Sequence, residues 1–402
     1  MSLKKVRGVL LIILFGLVMG IAGFKLGEKR TEVKWRTVIG DSNEVDLSLM
    51  WEVWSRLDKN YLYSEEIDKE KMVMGAISGS TAALDDPYTS FLEPEENDRS
   101  KEDLSGEFSG VGIQLGYIDK TLAVVAPMKG HPAIKAGIVA GDLILNIKDE
   151  AAGVDRETTG ITLTEAVNLI RGEKGTEVVL TIYHEGDEAS KEVSLIRDVI
   201  EIPSVEVEFV GEGGNIAWMQ VYKFGEKTLP EWNEAVTEAL SRGVDGVIVD
   251  VRNNPGGYLQ RAIDLASEFV DSGVVVKQKG KLMTEEFSIN RRGKMVGMPM
   301  VVLINKGSAS ASEIMAGALR ERLGVSLIGE NSFGKGTVQE AQELSDGAGL
   351  HVTIAEWLLP SGDNIHGDGL APDVEVKDDL STSEDEQVEK AIEVLKEKIS
   401  QG

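Results

Sequence analysis

An α/β chain with an inserted strand-rich module and a helical N-terminal segment is the fold class predicted, on three observations. From residue 199 onward, near-continuous apolar strands alternate with amphipathic helices (Val247 to Val251, Met300 to Ile304 and Val325 to Ile328 are the strands). That alternation implies a parallel sheet covered on both faces. Between 104 and 198 the pattern is short strands with two brief helices. Before them, residues 43–84 carry apolar stripes at helical spacing.

Taken in order, the chain divides into 1–27, an anchor or signal segment; 28–103, a helical region; 104–198, the strand-rich module; 199–376, the α/β core; and 377–402, an acidic helical tail. In the first, 17 uncharged residues separate Arg7 from Lys25, reaching about 25 Å as a helix, the short end of a membrane span. Basic residues flank the run on both sides, but a long following domain crosses largely regardless of local charge. The expectation is a single-pass membrane protein with an extracytoplasmic body, or a secreted one if the segment is cleaved. In the helical region, Val45, Leu49, Val53 and Leu57 form one stripe and Met72, Ala76, Ile77 and Ala83 another. Asp85-Asp86-Pro87-Tyr88 reads as a turn and the charged run Glu93 to Asp103 as a linker. Within the module, Thr162-x-x-Glu165 opens a helix as a capping box, and Asp149 to Gly160 reads as a long loop. The tail carries a weak stripe, Val388, Ile392, Leu395 and Ile399. This stripe and the one at 45–57 would either join two subunits as a homodimer or fold back on the core.

Composition narrows the functions. Among 402 residues, 68 acidic side chains face 42 basic ones, a net charge of −26 that repels nucleic-acid backbones. There is no Cys, so a thiol nucleophile, a disulfide and a Cys-ligated metal are excluded. Only four His are present. His366-Gly367-Asp368 offers one His and one Asp, too few ligands for a metal, and His131, His184 and His351 lack the neighbours that would assign a Ser-His-Asp triad.

Parallel strands joined by helices place their following loops on one sheet edge. Three glycine-bearing loops qualify: Asn253-Asn254-Pro255-Gly256-Gly257, Lys306-Gly307-Ser308-Ala309-Ser310-Ala311-Ser312, and Gly329 to Gly336 around Lys335. Ser310 at a strand-to-helix turn would have the unpartnered N–H of Ala311 beside it. Gly256 and Gly257 would let a second N–H approach a substrate carbonyl. A desolvated Lys335 could serve as the base; bringing its pKa from about 10.4 towards 7 costs about 4 kcal/mol. Gln339, four residues on, would share its side and orient the amine without adding charge. Spacing alone leaves open which of Ser308, Ser310 and Ser312 attacks, since serine clusters also cap helices.

Gly307 to Ile314, followed by Phe333-Gly334-Lys335-Gly336-Thr337-Val338-Gln339, resembles the carboxyl-terminal processing (tail-specific) serine peptidases. Asp250 to Gly257 is similar to that family's third motif, Leu84 to Thr89 to its N-terminal helical segment, and Phe108 to Ile113 to the opening of its PDZ domain. The resemblance spans about 45 to 376. It implies a crotonase/Clp-like catalytic core, Ser310 as nucleophile, Lys335 as general base, Gln339 as orienting residue, and Ala311 with a glycine of the pair, foremost Gly256, as oxyanion donors. It also implies peptide binding at Val111, Gly112 and Ile113, with Arg171 matching a PDZ arginine, and no cofactor. The expected function is cleavage of exported proteins after capture of their C-termini. Two rivals stand beside it: an inert PDZ scaffold binding protein tails, and an acyl-CoA enzyme of the same fold class with no need of Lys335.

Overall fold

The computed structural model describes residues 46–377 and 384–401. The segment expected to anchor the chain, 1–27, lies outside them. The chain divides into two compact units at Val73/Met74. Helix α1 (Ser48–Asn60) has no buried residue, and its apolar side chains Leu49 and Trp51 are exposed. Among the described residues no helix is long and apolar enough to cross a membrane.

After α2 (Lys69–Ala82), the turn at 85–89 is held by Asp86, which accepts the Tyr88 N–H at 3.0 Å and the Thr89 hydroxyl at 2.7 Å. Strand β1 (Ser90–Leu92) follows, then α3 (Pro94–Ser105). A linker was expected here. Charge suggested it, but the end signals decide otherwise: proline in the first turn, a Glu93/Glu96 capping box and Gly106 in the left-handed region at the C-terminus.

The strand-rich module hangs on a two-stranded stem, β2 (Glu107–Gly110) paired antiparallel with the strand that closes the insertion, Asp198–Glu201. Within it lie β3 (Ile113–Ile118), β4 (Thr121–Pro127), α4 (Pro132–Lys135), β5 (Leu143–Asp149), β6 (Val154–Glu157), α5 (Leu163–Ile170), β7 (Glu177–Tyr183) and β8 (Lys191–Ile196), before β9, the closing Asp198–Glu201. The sheet order is β3-β4-β5-β7-β8, with β6 folded against β5. The expected loop Asp149–Gly160 is therefore largely a hairpin, in which Asp149 pairs with Val154. Alternate residues of β7 (Val178, Leu180, Ile182) join Leu122, Ile144 and Ile147 in a core separate from the rest of the chain.

The α/β core runs β10 (Val205–Val210), β11 (Ile216–Val221), α6 (Thr228–Arg242), β12 (Gly246–Asp250), α7 (Leu259–Ala266), β13 (Val274–Gly280), β14 (Thr284–Ser288), β15 (Met300–Ile304), α8 (Ala311–Leu323), β16 (Ser326–Gly329), β17 (Thr337–Glu343), β18 (Gly349–Leu358), β19 (Val374–Glu375) and α9 (Glu386–Gln401). Its main sheet has the order β10-β11-β12-β15-β16-β19, parallel from β11 to β19 with β10 antiparallel at the edge. Strands β12 and β15 are buried at every residue, as a parallel sheet covered on both faces requires. Val247, Val249, Val302 and Leu327 face α6, α7 and α8. Ile248, Val301, Leu303 and Ile328 face α9, so the acidic tail folds back on the core. A second sheet, β1-β18-β13-β14 with β17 on β18, carries the segment after β16.

Ile248 is fully buried in a central strand. Ile248→Ala should lower unfolding free energy by about 3 kcal/mol through the cavity it leaves, measured from the urea midpoint at unchanged slope.

Candidate active site

The loops after β12, β15 and β16 meet at the carboxyl edge of the main sheet and are tied together by their own polar groups. Ser308 Oγ donates to Val251 O at 2.7 Å, and Ser312 Oγ donates to Asn254 O at 2.9 Å. The Asn305 side chain accepts the Asn253 and Gly307 N–H groups at 2.8 and 2.9 Å. Ser308 and Ser312 are thus fully buried struts between loops, and Ser310 is the serine of the three that lines the open cleft. It stands at the N-cap of α8 with φ 56° and ψ −114°, a conformation costly for a residue with a Cβ.

One side chain gathers the nucleophile loop and the lysine loop. Glu313, fully buried in the first turn of α8, accepts the Ser310 N–H at 2.8 Å, the Ser332 hydroxyl at 2.5 Å, the Gly334 N–H at 2.7 Å and the Lys335 N–H at 2.9 Å. The sequence reading passed over Glu313, although Ser310-x-x-Glu313 has the capping-box spacing it used at Thr162.

The Lys335 ammonium lies 4.9 Å from the centre of the Tyr88 ring, on the wall of the same cleft as Ser310. Burial pushes its pKa down and the Asp86 carboxylate pulls it up, with a net lowering. Burial likewise lowers His351, helped by the nearby Lys335 charge. Tyr88 stands in the expected turn and in the stretch that resembles the family's N-terminal segment, and it reaches the lysine through tertiary folding, which no local pattern announces. The strand β17 begins only at Thr337, so Lys335 lies in the loop before it, and among the described residues no hydrogen bond joins the Gln339 amide to the lysine amine. Gln339 Nε2 donates to Thr337 Oγ1 at 2.9 Å and Thr353 Oγ1 at 3.2 Å.

Of the two glycines, Gly256 donates its N–H to Asn254 Oδ1 at 2.9 Å, so the donor first expected is already engaged. The N–H groups of Gly257 and Ala311 have no partner among the described residues. Gly256 serves close approach: a Cβ there would stand 2.9 Å from Ser310 Cβ and 2.8 Å from Ala309 O. Gly256, Gly257, Ser310, Lys335 and Gln339 all border a cleft of about 580 Å³ whose apolar wall includes Tyr88, Tyr258, Val338, Ile354 and Trp357.

Val111, Gly112, Ile113 and Arg171 do not border this cleft. Gly112 has φ 74°, and a Cβ there would strike the His131 side chain. Ile113 opens β3, an edge strand of the module sheet. Arg171 stacks over the Phe108 ring at 4.1 Å and pairs with Glu102 of α3 at 3.6 Å.

The family description "Peptidase family S41" matches residues 215–376, and "PDZ domain" matches 109–195. A "Carboxyl-terminal-processing protease" of Synechocystis is 34% identical over 90% of this chain and 85% of its own. The chain belongs to peptidase family S41, among its carboxyl-terminal processing members. The "Carboxy-terminal processing protease CtpA" of Bacillus subtilis is 38% identical over 78% of this chain, which spans 66% of that relative's length. Two Staphylococcus epidermidis relatives are spanned over 64% of their length. A solved "photosystem II D1 C-terminal processing protease" superposes with a TM-score of 0.51 at 31% identity, covering 90% of this chain and 95% of that one. The S41 assignment accounts for the α/β core, and the PDZ assignment for the module on the β2–β9 stem.

The Glu313 carboxylate of this S41 chain meets four donors, so an amide in its place sets one NH₂ against them. Glu313→Gln should cost about 2 kcal/mol, read as a lowered urea midpoint, with Ser312→Ala costing about 1 kcal/mol.

Proposed function

We propose that this chain is a serine endopeptidase that uses a Ser310–Lys335 dyad. Ser310 Oγ attacks the scissile carbonyl while the neutral Lys335 amine takes its proton. The amine then protonates the leaving nitrogen, and water hydrolyses the acyl-enzyme. The N–H groups of Gly257 and Ala311 receive the oxyanion. The observation that carries this reading is the shared cleft: a serine hydroxyl, a lysine whose pKa burial has lowered and two unpartnered N–H groups border or adjoin one cavity. For Gln339 the role is orientation of the amine after a small side-chain turn, since its amide oxygen has no partner among the described residues.

The substrate end is read from the PDZ module. The open edge of β3 is suited to receive a peptide as an added strand, with Val111, Gly112 and Ile113 at the terminal carboxylate. Arg171 braces the module against α3. The uncharged run 8–24 supports a body tethered by its N-terminus outside the cytoplasm.

Ser310→Ala and Lys335→Ala should each abolish cleavage of a fluorogenic peptide with a free apolar C-terminus, while peptide binding measured by fluorescence polarisation persists. Loss of neither activity, or cleavage surviving Lys335→Ala, overturns the dyad. The catalytic amine must be neutral, so kcat/KM should climb with pH along an acid limb whose midpoint lies below the ordinary lysine value of 10.5. Asp86 holds that pKa up, so Asp86→Asn, which preserves the turn, should move the limb to lower pH in a pH–rate profile.

A further inference from the structure

Helix α9 begins beyond the stretch that the peptidase description covers. Its Val388, Ala391 and Leu395 seal the second face of the main sheet. Apolar packing would suffice for that, yet the start of the helix carries a polar clamp directed at the active-site loop. Asp385 accepts the Val388 N–H at 2.9 Å and takes Arg252 in a fork, Nη1 to Oδ1 at 2.9 Å and Nη2 to Oδ2 at 2.8 Å. Gln387, buried, accepts Arg252 Nη1 at 2.9 Å and donates its amide to Val376 O at 2.8 Å. From the opposite side Asp250 accepts Arg252 Nε at 3.0 Å and Nη2 at 2.7 Å, and it also accepts Trp218 Nε1 at 3.1 Å. All five guanidinium N–H groups are thereby engaged, and a planar fork held on both sides can neither rotate nor slide. Burial pushes the Asp385 carboxyl up, and the guanidinium together with backbone N–H groups more than offsets this, leaving it below the usual carboxylate range.

Arg252 stands two residues past the end of β12 and immediately before Asn253-Asn254-Pro255-Gly256-Gly257. Asn253, next in line, has a positive φ of 57°, so the chain turns sharply just after the clamped residue. The clamped side chain thus stands at the root of the loop that carries Gly257.

We propose that Asp385 is a positioning residue: acting through Arg252, it fixes the loop that aims the Gly257 N–H into the cleft, which makes the docked C-terminal helix part of the transition-state machinery. The proposal rests on the Ser310–Lys335 peptidase reading. Electrostatic donors act only when aimed at the position the oxyanion will occupy, so a small shift of the loop weakens the transition state more than the bound substrate.

The test uses the full chain, a fluorogenic tail peptide and the matching peptide aldehyde, whose serine adduct places an oxygen at the two N–H groups. Asp385→Ala and Arg252→Lys should each lower kcat about tenfold or more with KM within about twofold. Aldehyde affinity should fall by the same factor as kcat. Leu395→Ala, which loosens the same helix without touching the clamp, should lower Tm yet keep wild-type kcat and aldehyde affinity well below the melt. Asp385→Asn, isosteric and retaining one acceptor, should fall between Asp385→Ala and wild type. The proposal is overturned if Asp385→Ala lowers Tm while kcat and aldehyde affinity stay at wild-type values, or if Leu395→Ala loses as much kcat. Wild-type enzyme that cleaves nothing, with Ser310→Ala indistinguishable from it, overturns the peptidase reading and this inference with it, whereas an active wild type matched by Asp385→Ala overturns the inference alone.

Discussion

A carboxylate buried without a cationic partner is expensive unless donors surround it, and Glu313, which has no cationic partner among the described residues, is such a group. Its two oxygens collect three backbone N–H groups and one hydroxyl, drawn from the turn at Ser310 and from the segment Ser332 to Lys335. Neither loop can leave without stranding charge, so the desolvation that threatens the fold also locks the two loops in register. The grip is on the Lys335 backbone. The Coulombic influence that raises the lysine comes from Asp86 instead, which leaves burial to lower the amine. A carboxylate that held the ammonium itself would have stabilised the charged form and worked against a base.

The cleft is therefore divided between a rigid half and an imported half. The rigid half is the sheet edge, where Ser308, Ser312, Asn254 and Asn305 hydrogen-bond one loop to the next. The imported half comes from far along the chain: Tyr88 beneath the lysine, and Thr353 taking the Gln339 amide. Thr89 joins the two, since its hydroxyl donates to Asp86 and accepts the Thr353 N–H at 3.0 Å. The lysine's surroundings thus depend on β1 and its preceding turn being seated on β18.

How much of this was readable beforehand follows from how local each feature is. The three glycine-bearing loops and their shared edge were legible because strand–helix alternation determines which end of a sheet a loop occupies. Spacing made Ser310 and Lys335 legible as candidates but left Ser310 among three serines; the resemblance singled it out, and the physical distinction, which hydroxyls meet carbonyls across loops, needed the fold. Helix α3 was misread because composition was weighed above its proline, capping box and terminal glycine, all of which stand in the sequence. Gln339 was legible as a residue of the cleft, but its partners there, Thr337 and Thr353, follow from strand pairing that carries no local signal. Gly256 was taken for the donor when its neighbour Asn254, two residues back, is an Asx-type acceptor for that very N–H. The tail's destination depended on a face of the sheet that only the folded topology exposes.

The backbone at Ser310 gives the rest its meaning. A residue with a Cβ held at positive φ costs of order 1–3 kcal/mol and persists only where its surroundings over-determine it. Here its N–H is bound to Glu313, its carbonyl accepts the Ile314 N–H at 2.9 Å, and Gly256 presses close enough that any side chain there would collide with it. Those contacts fix the direction of the Cα–Cβ bond without calling on the hydroxyl. The side chain is thereby aimed by main-chain geometry; its oxygen accepts the Glu313 N–H of the capping box, while its proton is given to no group among the described residues. A serine oriented instead by a hydrogen bond from its own hydroxyl would have to break that bond at the moment of attack.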